Sequence, residues 1–476
     1  MRKNGLLKLV LPITVIVALA VLLPLASGCR PGAAPPEAKP WKIGYIGALA
    51  TDVGRSSQRT TKIWVDEVNA AGGILGRQIE YVEADSTEDP TEGVKAYEYL
   101  AEQDVDLMVS GCIDDVTLGW ISRMIEYKIP MIDTWTSAIR AIEIVHDNYE
   151  AGGKAYFMPH MNDYDQGAEY VHLANDIFRE EMCWDTCVLY YEDTAYGAGV
   201  AEFVRDEIAP GAGVEVVGEM RYDIGTFDFT PVYAGIMSYD PDFIFHICSV
   251  NCVPPSAAYV ELEVPYPIFG VNVAACSAEF WDDMGGKASG FNATMPPPTI
   301  GLDFDPFDQA LINKYKSIYT ERPIFPHFNG FNAYNCLWMA KAAAEKAGGF
   351  KGEYLDAWVT AMEQEELILW KYGGLERRDD LSPTGQDIKW QYYRFYAPGV
   401  TYPEPPGAVF DNHHCHSCVL DTTGEYGRPG GMVMQWRMEK QTPIEETVGI
   451  IHPLRWRNTD FVFVPWIPEE HRGKCP

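Results

Sequence analysis

Asn69-Ala70-Ala71-Gly72-Gly73-Ile74-Leu75-Gly76-Arg77-Gln78-Ile79 decides how this chain folds. Residues 56–71 carry Ile63, Trp64 and Val68 on one face at helical spacing, and Gly72-Gly73 supplies the stop. Residues 79–83 then read as a strand, so the stretch is a helix end turning tightly into an extended segment. Its glycines are backbone devices. Upstream, residues 42–47 (KIGYIG) form a short strand ending in glycine. Downstream, Pro90 opens a helix with Val94, Tyr97 and Leu100 in register, followed by strand 105–110, helix 116–126 and strand 129–133. A second series repeats the scheme: strands 186–191, 213–220, 242–247 and 267–271, with helices 197–208 and 231–237. Strand–helix–strand units of this length imply parallel sheets covered by helices on both faces. The expected fold class is α/β, with two doubly wound lobes whose ligands bind at the carboxyl ends of the strands.

Further landmarks follow in order: the acidic, proline-ended loop Asp85 to Pro90 (DSTEDP), the turn Tyr196-Gly197-Ala198-Gly199, Phe227-Asp228-Phe229-Thr230-Pro231, and Pro241-Asp242. Together with the Asn69–Ile79 stretch, this pattern resembles the type I periplasmic binding proteins of the branched-chain amino acid and amide group. The resemblance runs from about Trp41 to about Lys346. It implies a solute held between lobes joined by three chain crossings.

The same resemblance implies where the solute binds. The loop Ser110-Gly111-Cys112-Ile113-Asp114-Asp115 matches the segment that holds a ligand carboxylate, making Ser110, Cys112 and Asp114 candidates. Asp114 stands where the family keeps a serine, which argues against a free amino acid unless the aspartate is protonated or paired. Its other reading is a cap for the helix starting near Val116. In the next loop Thr136 and Ser137 offer hydroxyls, while Trp135 either stacks on a planar ligand or packs inside the lobe. From the second lobe, Tyr196 matches a tyrosine that packs across the cleft. Asn272 falls where amino-acid binders keep a glutamate, and it can bond an amide, urea or carbonyl but not balance an ammonium.

The N-terminus gives the compartment. Arg2, Lys3 and Lys8 precede an uncharged apolar run and the small residues Ala26-Ser27-Gly28 before Cys29. Residues 1–28 read as a lipoprotein signal peptide, with Cys29 the lipid attachment residue and residues 29–40 a Pro/Ala-rich tether. Leu25 lies four residues before Cys29 instead of the usual three, so a retained apolar anchor is the alternative. Both place the rest outside the cytoplasm, at the cell envelope. The expected organisation is lobe 1 in residues 41–156 and 295–400, lobe 2 in 157–294, and a C-terminal extension, 401–476, packed on hinge and lobes.

The formal charge is −31, and −34 without Arg2, Lys3 and Lys8. Such a surface repels phosphate backbones, which argues against nucleic acid. Of 11 cysteines, ten remain beyond Cys29, an even number that suits disulfides in an oxidising compartment. Close pairs are Cys183/Cys187, Cys248/Cys252 and Cys415/Cys418, with Cys112, Cys276, Cys336 and Cys475 left over; the connectivity stays open.

Metal-site chemistry is concentrated in Asp411-Asn412-His413-His414-Cys415-His416-Ser417-Cys418. His413, His414, Cys415, His416 and Cys418 suit zinc or copper, or equally a disulfide beside surface histidines. No cofactor is otherwise expected. The chain has no Gly-x-Ser-x-Gly elbow, no His-Glu-x-x-His and no phosphate loop, so no enzyme is expected. The function implied is an extracytoplasmic solute-binding lipoprotein delivering a small polar solute, a branched-chain amino acid, an amide or urea-like molecule or a small organic acid held between the lobes, to an ABC permease and its ATPase subunits. The alternatives are a ligand-sensing receptor domain of the same fold and, more remotely, an extracellular metal-binding protein or metalloenzyme using residues 413–418.

Overall fold

The computed structural model describes residues 39–163, 166, 173–295, 299–301, 304, 306–363, 370–371, 374–375, 395, 397–398, 415–417, 432–452, 457–473 and 475. The signal, Cys29 and the tether up to residue 38 lie outside these residues, as do His413, His414 and Cys418. No helix among the described residues is long and apolar enough to cross a membrane.

Five strands, β1 (Trp41–Gly47), β2 (Ile79–Asp85), β3 (Leu107–Gly111), β4 (Met131–Asp133) and β5 (Tyr156–Phe157), form one sheet in the order β2-β1-β3-β4-β5. Every pairing is parallel, with Ile43 opposite both Tyr81 and Leu107. β3 is buried along its whole length, as a strand covered on both faces must be. Helix Asp52–Ala70 starts at the Thr51 cap, whose hydroxyl accepts from Gly54 N, four residues earlier than the apolar spacing suggests.

The opening stretch closes as a built turn. Gly73 N donates to Val68 O, and Ile74 and Arg77 exchange two backbone bonds. Asn69 does more than end the helix. Its amide donates to Ile79 O (2.9 Å) and its carbonyl accepts from Ile79 N (2.7 Å), so one side chain pins β2 where the strand begins.

Four further strands, β6 (Thr186–Glu192), β7 (Glu215–Tyr222), β8 (Phe243–Cys248) and β9 (Ile268–Asn272), form a second parallel sheet in the order β7-β6-β8-β9. The predicted helix 197–208 is Ala195–Phe203, continued through a π turn at Val204–Ile208. Helices Ile139–Asp147, Val253–Glu261, Pro306–Ile318, Phe328–Ala347 and Leu355–Glu363 add to those expected.

The C-terminal third returns to both lobes. Helix Phe328–Ala347 lies against Asp52–Ala70. The close approach is at Gly330, where a Cβ would sit 2.4 Å from Ser56 Oγ. β10 (Asn292–Met295), β13 (Met432–Trp436) and β14 (Val448–His452) then build an antiparallel sheet that the sequence reading did not foresee; β11 (Trp370–Lys371) and β12 (Gly374–Leu375) are a separate two-stranded pair. The Asn292 side chain fastens β10 to β9 by accepting from Gly270 N and donating to Ile268 O. Trp436 Nε1 donates to Ala275 O, and Cys475 faces Cys183 at a Cα–Cα distance of 5.2 Å. Residues 415–417 instead lie on the first sheet, where Met158 N donates to His416 O. Of the stretch expected as an extension packed on hinge and lobes, the described residues 415–417 lie beside the first sheet, while Trp436 and Cys475 reach the second lobe at Ala275 and Cys183.

Candidate functional site

A cavity of about 440 Å³, mouth included, opens where the carboxyl ends of the two parallel sheets face each other. From the first lobe it is lined by Ile113, Asp114, Asp115, Trp135 and Ser137; from the second, by Thr194, Tyr196, Ser249, Val250 and Val273. His160 and Gln166 from the crossover, and Phe328, complete it. The Tyr196 hydroxyl donates to Gln166 Oε1 (2.8 Å). A wider hollow of about 1240 Å³, lined among others by Lys316, Arg437 and Asn458, lies away from these strand ends.

Each lobe aims its loops with a buried carboxylate. Asp133, at the end of β4, is fully buried and accepts from Thr117 Oγ1 (3.0 Å), Tyr156 OH (3.0 Å) and Thr136 N (3.4 Å), which fixes the Trp135–Ser137 loop. Glu192, at the end of β6, accepts from Ser249 N (2.7 Å), Val250 N (2.9 Å) and Asn251 N (2.5 Å), and so shapes the loop after β8. Burial pushes both carboxyls above the usual range, and these donors pull them back.

Of the residues named from sequence, Asp114, Trp135, Ser137 and Tyr196 line the cavity. Ser110 and Cys112 sit behind it: the Ser110 hydroxyl accepts from Cys112 N, and the Cys112 thiol faces Ser86. Thr136 is turned inward and donates to Thr117 Oγ1 (2.6 Å). Asn272 is absent from the wall because its carbonyl caps the turn at Ala275 N and its amide donates to Ser256 Oγ. His160, Gln166 and Phe328 were missed, since crossover and hinge segments carry no periodicity that would single them out; Thr194 was missed because its hydroxyl reads as the cap of the helix after β6, which it also is.

Asp114 corrects one expectation. The helix begins at Asp114 itself, after Ile113 with no side-chain cap. Its Oδ1 accepts from Ser137 N (2.9 Å) in the neighbouring loop, and Oδ2 is buried with no hydrogen-bond partner among the described residues. Burial raises its pKa to about 7, reinforced by the charges of Asp133 and Asp115 and opposed by the amides of Ser137 and Ala138. A carboxyl raised on folding favours the native state when protonated, and that advantage is lost as pH rises from about 4 to about 7. In the ligand-free protein, Asp114→Asn is therefore expected to match wild type near pH 4. It should exceed wild type by roughly 2–4 kcal/mol at pH 8, since each pKa unit is worth about 1.4 kcal/mol. Urea unfolding across this range checks it.

Among the described residues, the contacts that bridge the lobes include one made by Asp115 and one made by Arg322. Asp115 Oδ2 accepts from Ala195 N (3.3 Å) at the start of a second-lobe helix. Arg322 grips Asp52 on the first lobe and forks onto Asp283 beyond β9, with Nη1–Oδ1 at 2.5 Å. Arg59 holds the Arg322 loop by donating to the carbonyls of Glu321, Arg322 and Pro323. Because the Arg322 side chain is 48% exposed, its contribution to stability is small, about 1 kcal/mol or less. Arg322→Ala is expected to leave the unfolding midpoint nearly unchanged and to open the unliganded cleft, read as a larger radius of gyration in small-angle scattering.

The metal candidates fare unequally. His416 is buried, with Nδ1 2.9 Å from Tyr156 O and Nε2 2.5 Å from Glu363 Oε1, so both ring nitrogens face protein acceptors and not a metal. Cys415 is buried. Among the described residues, Glu192, Cys248 and Cys252 bring possible ligand atoms together. The Glu192 oxygens are already taken by three amides and a hydroxyl, and burial pushes both thiols up, away from thiolate. Cys183 approaches Cys475, 292 residues away, and not its sequence neighbour Cys187.

The profile of the periplasmic binding protein family matches residues 40–378. Halobacterium salinarum BasB, described as a chemotactic signal transduction system substrate-binding protein, is 26% identical over 315 residues, covering 64% of this chain and 68% of its own. The fold is shared with the branched-chain amino acid transporter substrate-binding protein LivJ of Streptococcus pneumoniae, solved with isoleucine: TM-score 0.63, 18% identity, 87% of this chain and 100% of that one. It is shared equally with a periplasmic binding protein type 1 from Bordetella pertussis: TM-score 0.63, 18% identity, 87% and 99% covered. Two parallel α/β lobes with a cavity between their strand ends, and a profile match over most of the chain, place it in one group: the chain belongs to the periplasmic binding protein family, with the type I fold.

Proposed function

We propose that this chain is the solute-binding subunit of an ABC importer, closing its lobes on one small polar solute and presenting the closed form to a permease and its ATPase subunits. The observation that carries the reading is the cavity between opposed strand ends, walled by Asp114, Trp135 and Ser137 on one side and Thr194, Tyr196 and Ser249 on the other. The family consists of substrate-binding proteins and implies an extracytoplasmic location, which supports a role in binding. In this reading Cys29 carries the lipid that holds the protein near its permease, and Cys183–Cys475 is a disulfide formed after export.

A thermal-shift screen over amino acids, amides, amines and aromatic acids tests it. A true ligand at a hundredfold excess over Kd stabilises by about 2.7 kcal/mol. Tyr196→Ala and Trp135→Ala are each expected to weaken that ligand by more than about tenfold, since each removes an aromatic wall worth about 1.5–3 kcal/mol when buried. Unchanged affinity in both variants would refute the cleft assignment. The relation to BasB supports a second reading, ligand sensing on behalf of a separate signalling protein. Loss of solute uptake on deleting the gene supports import, whereas intact uptake with lost taxis supports sensing.

A further inference from the structure

Resting on the cleft assignment above, we propose that the solute is a small organic cation, an alkylammonium or amidinium-type group, whose charged end docks on Asp114 between the aromatic walls. Three observations converge. First, the Asp114 side chain lines the cavity, is almost wholly buried, and leaves Oδ2 without a hydrogen-bond partner among the described residues. A buried carboxylate oxygen without a donor at a binding cavity is costly until a donor or cation reaches it.

Second, Asp163 stands on the other side of the same loop. Its N–H donates to Ser137 O, its Oδ2 accepts from Ile139 N (3.3 Å), and its buried Oδ1 also has no partner among the described residues. The loop 137–139 is thus flanked by two incompletely bonded carboxyls, and burial together with the Asp114 charge pushes Asp163 well above the usual carboxylate range. Third, among the described residues no lysine or arginine lines the cavity to balance them; Asp115 adds a further acid, and the remaining surface includes Trp135, Tyr196 and Phe328. Carboxylates among aromatic faces are the surroundings that receive an organic cation, by ion pairing and by attraction to the rings. A carboxylate ligand arriving at this end would meet acids and no compensating cation.

The charged and titratable groups around Asp114 set the pH response. Asp115 shares its helix, Asp133 ends β4, Tyr156 lies on β5, and Asp163 and His160 come from the crossover. His160 Nδ1 donates to Met161 O (2.7 Å). With the Asp114 carboxyl titrating near 7, a cation binds the ionised form and is expelled as the group protonates.

The experiment uses the mature chain and two sets of probes: putrescine, agmatine, choline and acetamidine in one; isoleucine, acetamide and benzoate in the other. The expected result is saturable binding of a member of the first set by calorimetry. Its affinity should be more than about tenfold weaker at pH 5.5 than at pH 8.5, and at least about a hundredfold weaker in Asp114→Asn. The variant's own unfolding curve, expected at or above wild type, shows that the loss is not misfolding. If isoleucine, acetamide or benzoate binds, depends on Tyr196 and survives Asp114→Asn, the cation proposal is overturned while the cleft assignment stands. If a cation binds but tolerates Asp114→Asn, Tyr196→Ala and Trp135→Ala alike, both are overturned. Silence of the whole first set also overturns the cation proposal.

Discussion

Replacing Glu192 with alanine is expected to lower the unfolding free energy by about 3 kcal/mol or more and to weaken solute binding by at least about tenfold. The carboxylate is fully buried, and it accepts from three consecutive amides, Ser249, Val250 and Asn251, and from the Ser249 hydroxyl. Truncation leaves those partly buried donors without their acceptor, and each unsatisfied buried donor costs about 1–3 kcal/mol. The binding loss has the same origin, because Ser249 and Val250 line the cavity and are held to β6 by this carboxylate. Glu192→Gln keeps the shape but turns an NH2 toward amide donors, so it should fall between. Urea unfolding with ligand titration checks both; a loss below about 1 kcal/mol for the alanine variant would mean the loop is held by something else.

Glu192 also shows what the sequence could and could not convey. It ends a strand, TCVLYYE, whose apolar run was readable, but its partners lie 57–59 residues on in a loop without periodicity. The parallel strands were legible for one reason. Strands buried on both faces must be continuously apolar, and the glycines and prolines between them mark the turns. The antiparallel sheet failed that test. MVMQW and VGIIH are short, 11 residues lie between them, and their partner β10 is far upstream.

The site divides along the same line. Asp114, Trp135 and Ser137 follow strands that pattern located, so their place at the strand ends came with the fold. Asn272 also ends a strand, yet a short polar side chain there can bend back to cap its own turn, and it does. Phe328 reaches the cavity from a helix near the hinge, and only the tertiary packing of that helix on Asp52–Ala70 brings it there.

Gly73→Ala is the other substitution expected to be severe, costing about 3 kcal/mol or more, whereas Gly76→Ala three residues on should cost about 1–2 kcal/mol. Both glycines have positive φ, +81° and +74°, so both variants bear the left-handed backbone penalty. They differ in what a Cβ would meet. At Gly76 there is nothing within 4 Å, but at Gly73 it would lie 1.9 Å from Arg77 O, a backbone atom locked by the Ile74–Arg77 pair. The turn cannot yield without releasing its neighbours. Trp41 Nε1 donates to Ile74 O at the start of β1, and Asn69 holds Ile79 at the start of β2. Strain at Gly73 therefore spreads to two strands at one edge of the first sheet. The cavity draws on the ends of β3 and β4, so solute affinity measured on the folded Gly73→Ala fraction should stay within about twofold of wild type. Lost stability with retained binding would establish the stretch as a backbone device; lost binding at full stability would instead make these glycines part of the ligand site.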